Sequence, residues 1–280
     1  MMKYNGKKFL KKELLPFFWC SGCGNGIVMG CIVRAMEESG FSRENTVAVT
    51  GIGCWGKADD YLTTHAFHGT HGRALTIATG IKLANPSLNV IALVGDGDGA
   101  TIGGNHLIHA ARRNIDITVI MSNNYTYGMT GGQYSGTTPF GAISSTSRYG
   151  HVEDEFDISE LVKTAGAAYV AKGTVANPLQ LRRFISKAFK KQNGFRFVEA
   201  MNICPTHYGR ANKLGKAPEM IERLRKSSIN IKLAKDMKSD ELAGKIIVGE
   251  YIDKKVDGYI RRYKEVQKRA SNQFGLFSKE

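Results

Sequence analysis

Two sets of side chains in this 280-residue sequence have the type and spacing to do chemistry. The first is a pair of carboxylates in Gly95-Asp96-Gly97-Asp98-Gly99-Ala100, directly after the apolar run Val90 to Val94. Its glycine spacing imitates a dinucleotide fingerprint, which would seat a pyrophosphate on a helix N-terminus. Asp96 and Asp98 would repel that anion unless a cation stood between. The next apolar run also ends in Asn123-Asn124 and not in the acid that binds a ribose hydroxyl. A carboxylate on one strand tip and an amide oxygen on the next, 28 residues later, make a hard oxygen site. Mg²⁺ favours such ligands and completes its octahedron with phosphate and water. Taken singly, Asp96 reads as a helix cap and Asn123-Asn124 as a turn.

The second set is thiols. Cys20-Ser21-Gly22-Cys23 is a C-x-x-C pair that suits a redox dithiol, zinc or an iron–sulfur cluster. Cys54 follows Gly51-Ile52-Gly53, and Cys204 lies in Asn202-Ile203-Cys204-Pro205, each just beyond a strand-like run. Cys31 falls on an apolar helix and reads as a core thiol. Four converging thiolates hold either zinc or [4Fe–4S], and ligand softness does not separate the two. His65, His68 and His71 would share a helical face as a further metal cluster, but Gly69 and Gly72 disfavour a continuous helix there.

Elements that would position these loops alternate along the chain. Strands are expected at Thr46 to Thr50, Val90 to Val94, Ile117 to Met121, Tyr169 to Ala171 and Phe195 to Ala200. Helices are expected at Ile27 to Glu38, Ala74 to Ala84, His106 to Arg113, Ile158 to Ala165 and Leu179 to Lys190. Short, nearly continuous apolar strands alternating with helices predict an open, mostly parallel α/β sheet with helices on both faces. Ligands of such sheets bind beyond the carboxyl ends of the strands, which selects the loops after Thr50, Val94, Met121 and Ala200. From Lys213 onward the chain holds 17 Lys+Arg against 10 Asp+Glu among single apolar residues. This predicts a domain over residues 1–210 and a helical C-terminal extension over 211–280. The extension is expected to pack on a partner subunit rather than continue the sheet.

Composition sets the class. Hydrophobic residues at 42% and charged residues at 23% describe a folded globular protein. Met1 to Lys8 has no secretory pattern, and no apolar stretch approaches the ~20 residues of a membrane helix. A cytoplasmic protein without a membrane partner is expected, and its five cysteines are then not a disulfide framework. The net charge of +14 suits nucleic acid, an acidic protein or an anionic substrate. A nucleic-acid-binding zinc module would leave the Asp96 to Asn124 pattern unexplained, so no nucleic acid is expected.

The run from Gly95 to Asn124 resembles the diphosphate-binding motif of thiamine diphosphate (ThDP) enzymes. Gly69-Thr70-His71-Gly72-Arg73-Ala74 resembles the segment that enters a helix beside that cofactor. Cys20, Cys23, Cys54 and Cys204, interleaved with these loops, resemble the β subunit of 2-oxoacid:ferredoxin oxidoreductases. That resemblance runs from about Phe17 to Arg210 and is strongest in Gly51 to Cys54, His71 to Ala74, Gly103 to His106, Ala110 to Asn114 and Tyr127 to Ser135. Trp55-Gly56 departs from it, since the family commonly has small residues there.

The resemblance implies a ThDP diphosphate-binding (PP-type) domain. It implies Mg²⁺ on Asp96, Asn124 and the carbonyl of Thr126, and one [4Fe–4S] cluster on the four cysteines. Cofactor contacts would come from Ile52, Gly53, Cys54, Trp55, His71, Gly97, Asp98, Gly128, Met129 and Thr130. Lys57 would meet the substrate carboxylate; the alternative is a plain surface lysine. Coenzyme A would be co-substrate, ferredoxin the electron acceptor, and the positive charge would steer that acidic partner. Because 280 residues hold one such domain, an α subunit would supply the pyrimidine-binding domain and the activating Glu. Thr70 to Arg73 and the chain length point to the 2-oxoglutarate branch. Pyruvate or branched-chain enzymes, or a non-redox ThDP lyase with structural zinc, are the alternatives.

Overall fold

The computed structural model describes residues 7–274. Most of the Met1 to Lys8 reading, and the last six residues of the extension, lie outside the described residues. Among those described, the strands are β1 (Thr46–Thr50), β2 (His65–His68), β3 (Asn89–Gly95), β4 (Thr118–Asn123), β5 (Tyr169–Thr174), β6 (Arg196–Met201), β7 (Ser228–Asn230) and β8 (Ile246–Asp253). The helices are α1 (Asn25–Glu38), α2 (Ala74–Ala84), α3 (Gly104–Arg113), α4 (Ile158–Thr164), α5 (Pro178–Lys190), α6 (Ala217–Ser227), the short α7 (Ile231–Ala234) and α8 (Ser239–Leu242), and α9 (Tyr259–Phe274).

The strands form one sheet in the order β2-β1-β3-β4-β6-β5-β8-β7. Every neighbouring pair is parallel except β5 with β8. Alternation along each central strand feeds two cores. Ile91, Leu93 and Ile120 point into one with α1 and α5. Val90, Ala92, Val94, Val119 and Met121 point into the other with α2, α3 and α4. Helices therefore cover both faces, as the unbroken apolar strands require. Local chemistry sets the helix ends. Asp157 caps α4 by accepting from the Glu160 amide, and Asn177 with Pro178 at the first turn opens α5. No described helix is long and apolar enough to cross a membrane.

The chain leaves β1 outward to β2, whereas β3 leads on to β4 on the other side. Their following loops diverge, and a crevice opens at that switch point. The loops at 51–54, 95–98 and 123–128 surround it.

Beyond residue 210 the structure differs from the helical extension expected. β8 pairs antiparallel with β5, from Tyr169↔Asp253 to Lys172↔Gly249, and β7 pairs with β8, so the chain does continue the sheet. α6 also buries Met220 and Leu224 in the first core. Two things hold β8 there: Val248 and Tyr251 are buried, and its acids are paired. Lys187 on α5 and Lys191 just past its end pair with Glu250 and Asp253 of β8 at 2.8–2.9 Å, so a strand that reads as solvated joins the sheet between β5 and β7. α9 keeps a charged, exposed surface. His65 to His68 form an exposed edge strand, in line with the glycines that disfavour a helix there, so the three histidines share no helical face.

Candidate cofactor and metal site

Asp98, at the tip beyond β3, organises the crevice. Its Oδ1 accepts from the Gly72 amide at 2.7 Å, from His71 Nδ1 at 2.8 Å and from the Ile52 amide at 3.2 Å. One carboxylate oxygen thus ties together the loops after β1, β2 and β3. The tie demands Gly51, where a Cβ would stand 2.3 Å from the Asp98 carboxylate oxygens. With Nδ1 carrying the proton toward Asp98, His71 keeps Nε2 as its open nitrogen. Its ring stands edge-on to Tyr127, centroids 5.8 Å apart.

Asp96 lies beside it, 2% exposed. Its Oδ2 accepts from Ser135 Oγ at 2.6 Å and Thr137 Oγ1 at 2.9 Å. Burial pushes its carboxyl up to about 6, against the downward pull of those hydroxyls. Across the gap, Asn123 Oδ1 accepts from the Tyr125 amide at 3.1 Å. This Asx-type turn holds Tyr125 in the left-handed region at φ 66° and places Asn124 and Thr126 on the crevice wall. Two buried oxygens here have no partner, Asn124 Oδ1 and Asp98 Oδ2. Buried acceptors without donors are costly. A hard cation at Asp96, Asn124 and the Thr126 carbonyl would satisfy the Asn124 oxygen, so the donor set fits Mg²⁺.

The thiols meet at the same edge. The Cys23 amide bonds the Cys20 carbonyl at 2.9 Å in a tight turn, and α1 follows at once. A Cβ on Gly128 would lie 3.5 Å from Cys54 Sγ and 3.9 Å from Cys204 Sγ. Burial pushes the Cys23 thiol up to about 12, and the neighbouring Cys204, Cys54 and Cys20 add to the rise. Cys54 is pushed up to about 11 by burial, again with Cys204 and Cys20 as neighbours. Cys54 and Cys204 thus flank Gly128, and Cys20 and Cys23 lie near enough to act on their charge, a soft donor set suited to an iron–sulfur cluster or zinc. Among the described residues no three His, Cys, Asp or Glu side chains close on a point as ligands of a single ion. Behind the thiols, Asn202 Nδ2 donates to Asn25 Oδ1 at 2.6 Å and to Ser122 Oγ at 2.8 Å, joining α1 to the ends of β4 and β6. Cys31 stands apart in the first core.

Residues 20–200 match the C-terminal TPP-binding domain of thiamine pyrophosphate enzymes. The chain belongs to that family. Among its members it belongs with the β subunits of 2-oxoacid:ferredoxin oxidoreductases. It is 50% identical over 246 residues to the 2-oxoglutarate synthase subunit KorB of Methanothermobacter marburgensis, covering 88% of this chain and 86% of that one. It is 40% identical over 200 residues to the 2-oxoglutarate oxidoreductase subunit KorB of Mycobacterium tuberculosis, covering 71% of this chain and 53% of that one. A solved structure of 2-oxoglutarate:ferredoxin oxidoreductase from Magnetococcus marinus, with 2-oxoglutarate, coenzyme A and succinyl-CoA bound, superposes with a TM-score of 0.84 at 28% identity. That match covers 100% of this chain and 98% of the other.

In this thiamine pyrophosphate subunit, the structure brings all ten residues expected to contact the cofactor, Ile52 to Trp55, His71, Gly97, Asp98 and Gly128 to Thr130, onto one cavity wall with Asp96, Asn124 and Thr126. Lys57 is not on that wall. It lies on the 3₁₀ turn Trp55–Tyr61 with Nζ 2.5 Å from Asp60. The family departure at Trp55 has a packing explanation. Its ring is buried against Trp19, centroids 5.6 Å apart, and its Nε1 donates to the Ile120 carbonyl on β4 at 3.4 Å. Ser135 and Thr137, which hold Asp96, had no role in the sequence reading. Ser135 ends the resemblance stretch Tyr127 to Ser135, and Thr137 is signalled only by the hydroxyl-rich run Tyr134-Ser135-Gly136-Thr137-Thr138, which also suits an ordinary loop.

Proposed function

We propose that this chain supplies the diphosphate half of a Mg²⁺–ThDP site, together with one [4Fe–4S] cluster, to a hetero-oligomeric 2-oxoglutarate:ferredoxin oxidoreductase. The observation that carries the reading is the shared wall, where Asp98 and Asn124, each with one unpartnered buried oxygen, line a cavity that Cys54 also lines. When bound, ThDP supplies the chemistry that cleaves the bond between the carboxylate and the 2-oxo carbon, and an iron–sulfur cluster accepts electrons singly. The chain's own residues bind and orient. Asp96, Asn124 and the Thr126 carbonyl would hold Mg²⁺, and through it the diphosphate. Asp98 fixes the His71 ring and its tautomer, and Tyr127 packs over Gly97, where any Cβ would stand 2.3 Å from its ring.

Cys20, Cys23, Cys54 and Cys204 would hold the cluster within the same edge, which keeps the path from cofactor to cluster short. The relatives' substrate supports 2-oxoglutarate with coenzyme A as acyl acceptor, and the reaction can run in either direction. Lys57, off the cavity wall and paired with Asp60, would meet a substrate carboxylate only by leaving that pair. The pyrimidine-binding domain and the activating Glu would come from an α subunit, and a cytoplasmic setting would keep the thiols reduced for metal.

Iron, sulfide and zinc analysis with an absorption spectrum on anaerobically purified protein tests the reading. We expect about four irons per chain and a brown chromophore, both lost in Cys54→Ala. Zinc without iron would replace it with a non-redox ThDP lyase. With the α subunit present, turnover on 2-oxoglutarate is expected to exceed that on pyruvate or branched-chain 2-oxo acids.

A further inference from the structure

Glu199, in the middle of β6, is 1% exposed and no step above uses it. Its Oε1 accepts from Asn123 Nδ2 at 2.8 Å and its Oε2 from Ser159 Oγ at 2.6 Å. Directly opposite on β5, Lys172 places Nζ 3.4 Å from Glu199 and 3.0 Å from Asp157, over the ring of Tyr251. Burial works against the Lys172 ammonium, but Glu199, Tyr251 and Asp157 outweigh it and its pKa is raised. The strands thus carry a charged pair through the protein interior, where breaking it from one side strands the other charge.

The pair leads to the metal-site loop. A carboxylate accepts only, so Glu199 fixes the Asn123 amide with Nδ2 toward β6 and Oδ1 toward the Tyr125 amide and Thr137. A flipped Asn123 would set oxygen against the carboxylate and NH₂ against the Tyr125 N–H. Thr137 Oγ1 stands between Asn123 Oδ1 at 3.0 Å and Asp96 Oδ2 at 2.9 Å and shares its single proton between them, and Asn123 immediately precedes Asn124. One side-chain chain, Lys172–Glu199–Asn123–Thr137, therefore reaches Asp96 and sets the turn that carries Asn124 and Thr126. It borders a separate cavity of about 800 Å³ lined by Lys172, Glu199 and Tyr125.

We propose that Glu199, charge-balanced by Lys172, is a positioning residue that holds Asp96, Asn124 and Thr126 in a metal-binding arrangement. The proposal rests on the Mg²⁺–ThDP reading. Partners that orient a metal ligand typically contribute 10–100-fold in affinity.

The test uses the complex with its α subunit and measures the Mg²⁺ concentration that half-saturates ThDP binding in equilibrium dialysis. Melting temperature and iron content are read on the same samples. Glu199→Gln is expected to raise that concentration by about tenfold or more at unchanged iron content. Lys172→Met, which leaves the carboxylate in place but uncompensated, is expected to raise it too. The double variant should be no worse than the worse single one, because both act through the same amide. Ser159→Ala, which removes a Glu199 contact remote from Asn123, should stay within about twofold of wild type. If Glu199→Gln does not fold, Lys172→Met alone decides. A lowered melting temperature with unchanged Mg²⁺ half-saturation would assign the pair a structural role only and overturn the proposal. Wild-type protein that binds ThDP without Mg²⁺ dependence would overturn the underlying reading as well.

Discussion

Trp19 Nε1 donates to the carbonyl of Cys54 at 2.6 Å, tying the residue before the C-x-x-C pair to the third cysteine of the site. The bond fixes the spacing of two chain segments that are 35 residues apart. Trp19→Phe keeps ring packing on Trp55 and Tyr61 but loses the donor. A net cost of about 1 kcal/mol in stability is expected from the lost hydrogen bond. The more specific effect is on retention of metal. Iron released to a chelator should leave the variant several-fold faster than wild type, with the initial iron content unchanged. Equal release rates would limit Trp19 to packing.

Cys31 separates site thiols from core thiols. It is 4% exposed on α1, and its Sγ lies 3.4 Å from the Pro178 carbonyl, between α1 and α5. Cys31→Ala should keep full iron and sulfide and lower stability by about 1–2 kcal/mol through the lost packing atom. Cys204→Ala should lose the chromophore altogether. Denaturant melts and iron analysis of the two variants side by side check both halves.

Much of this site was legible because its signals are local. Val90 to Val94 can only be a buried strand, and the loop behind it carries Asp96 and Asp98 within a few residues of one another. The cysteine spacing survives as a pattern in one dimension. What escaped is chemistry that exists only after strands are paired. Lys172 and Glu199 interrupt apolar runs and look like strand ends, yet each is the other's partner across β5 and β6. β8 escaped for a related reason, since the partners of Glu250 and Asp253, Lys187 and Lys191, are more than 60 residues away in the chain. β2 is an exposed edge strand whose period carries no core face.

Gly97 is where a single methyl group should act on the cofactor without acting on the fold. A Cβ there would stand 2.3–2.7 Å from three atoms of the Tyr127 ring. Tyr127 is only half-buried, so it can swing away, and the space it would take belongs to the cavity. Gly97→Ala should therefore weaken ThDP binding by about tenfold or more while shifting stability by only about 1 kcal/mol. Adding Tyr127→Ala removes the clash, and partial recovery of ThDP affinity is expected. Calorimetric titration of ThDP into the complex compares the three proteins.

Acid should release β8 before it releases the central strands. Asp253 is held below its ordinary range chiefly by the hydrogen bond from Lys191, with Lys187 adding to it. A carboxyl depressed in the folded state contributes stability that is fully present above its unfolded pKa, near 4. That contribution is lost as pH falls through the lower folded value. Hydrogen exchange of Ile246 to Asp253 should thus accelerate below about pH 4 while β3 and β4 stay protected. Asp253→Asn should exchange at the faster rate at neutral pH as well. If β8 in that variant behaves as wild type, the Lys187 and Lys191 pairs do not hold the strand.

Position, not total charge, should decide how an acidic electron acceptor docks. α9 brings Arg261, Arg262, Lys264, Lys268 and Arg269, but it is anchored at the opposite edge of the sheet from the cysteines. The Tyr259 amide bonds the Asn114 carbonyl and the Ile260 amide bonds Asp116, both just before β4 begins. Lys11 is different. Its amide bonds the Tyr61 carbonyl, the Tyr61 ring packs tilted against Trp19 with centroids 5.4 Å apart, and Trp19 bonds Cys54. Leu14, Leu15 and Phe18 are exposed beside it, 42–52%, an apolar patch on the approach to Cys20. Lys11→Glu with Lys12→Glu should slow reduction of an acidic ferredoxin by several-fold at low salt and flatten its salt dependence. Lys264→Glu with Lys268→Glu should leave both within about twofold, although each pair changes net charge equally. Stopped-flow reduction kinetics at two ionic strengths measure this, and equal losses from the two pairs would show that the whole-molecule field, not the patch beside Cys20, guides the encounter.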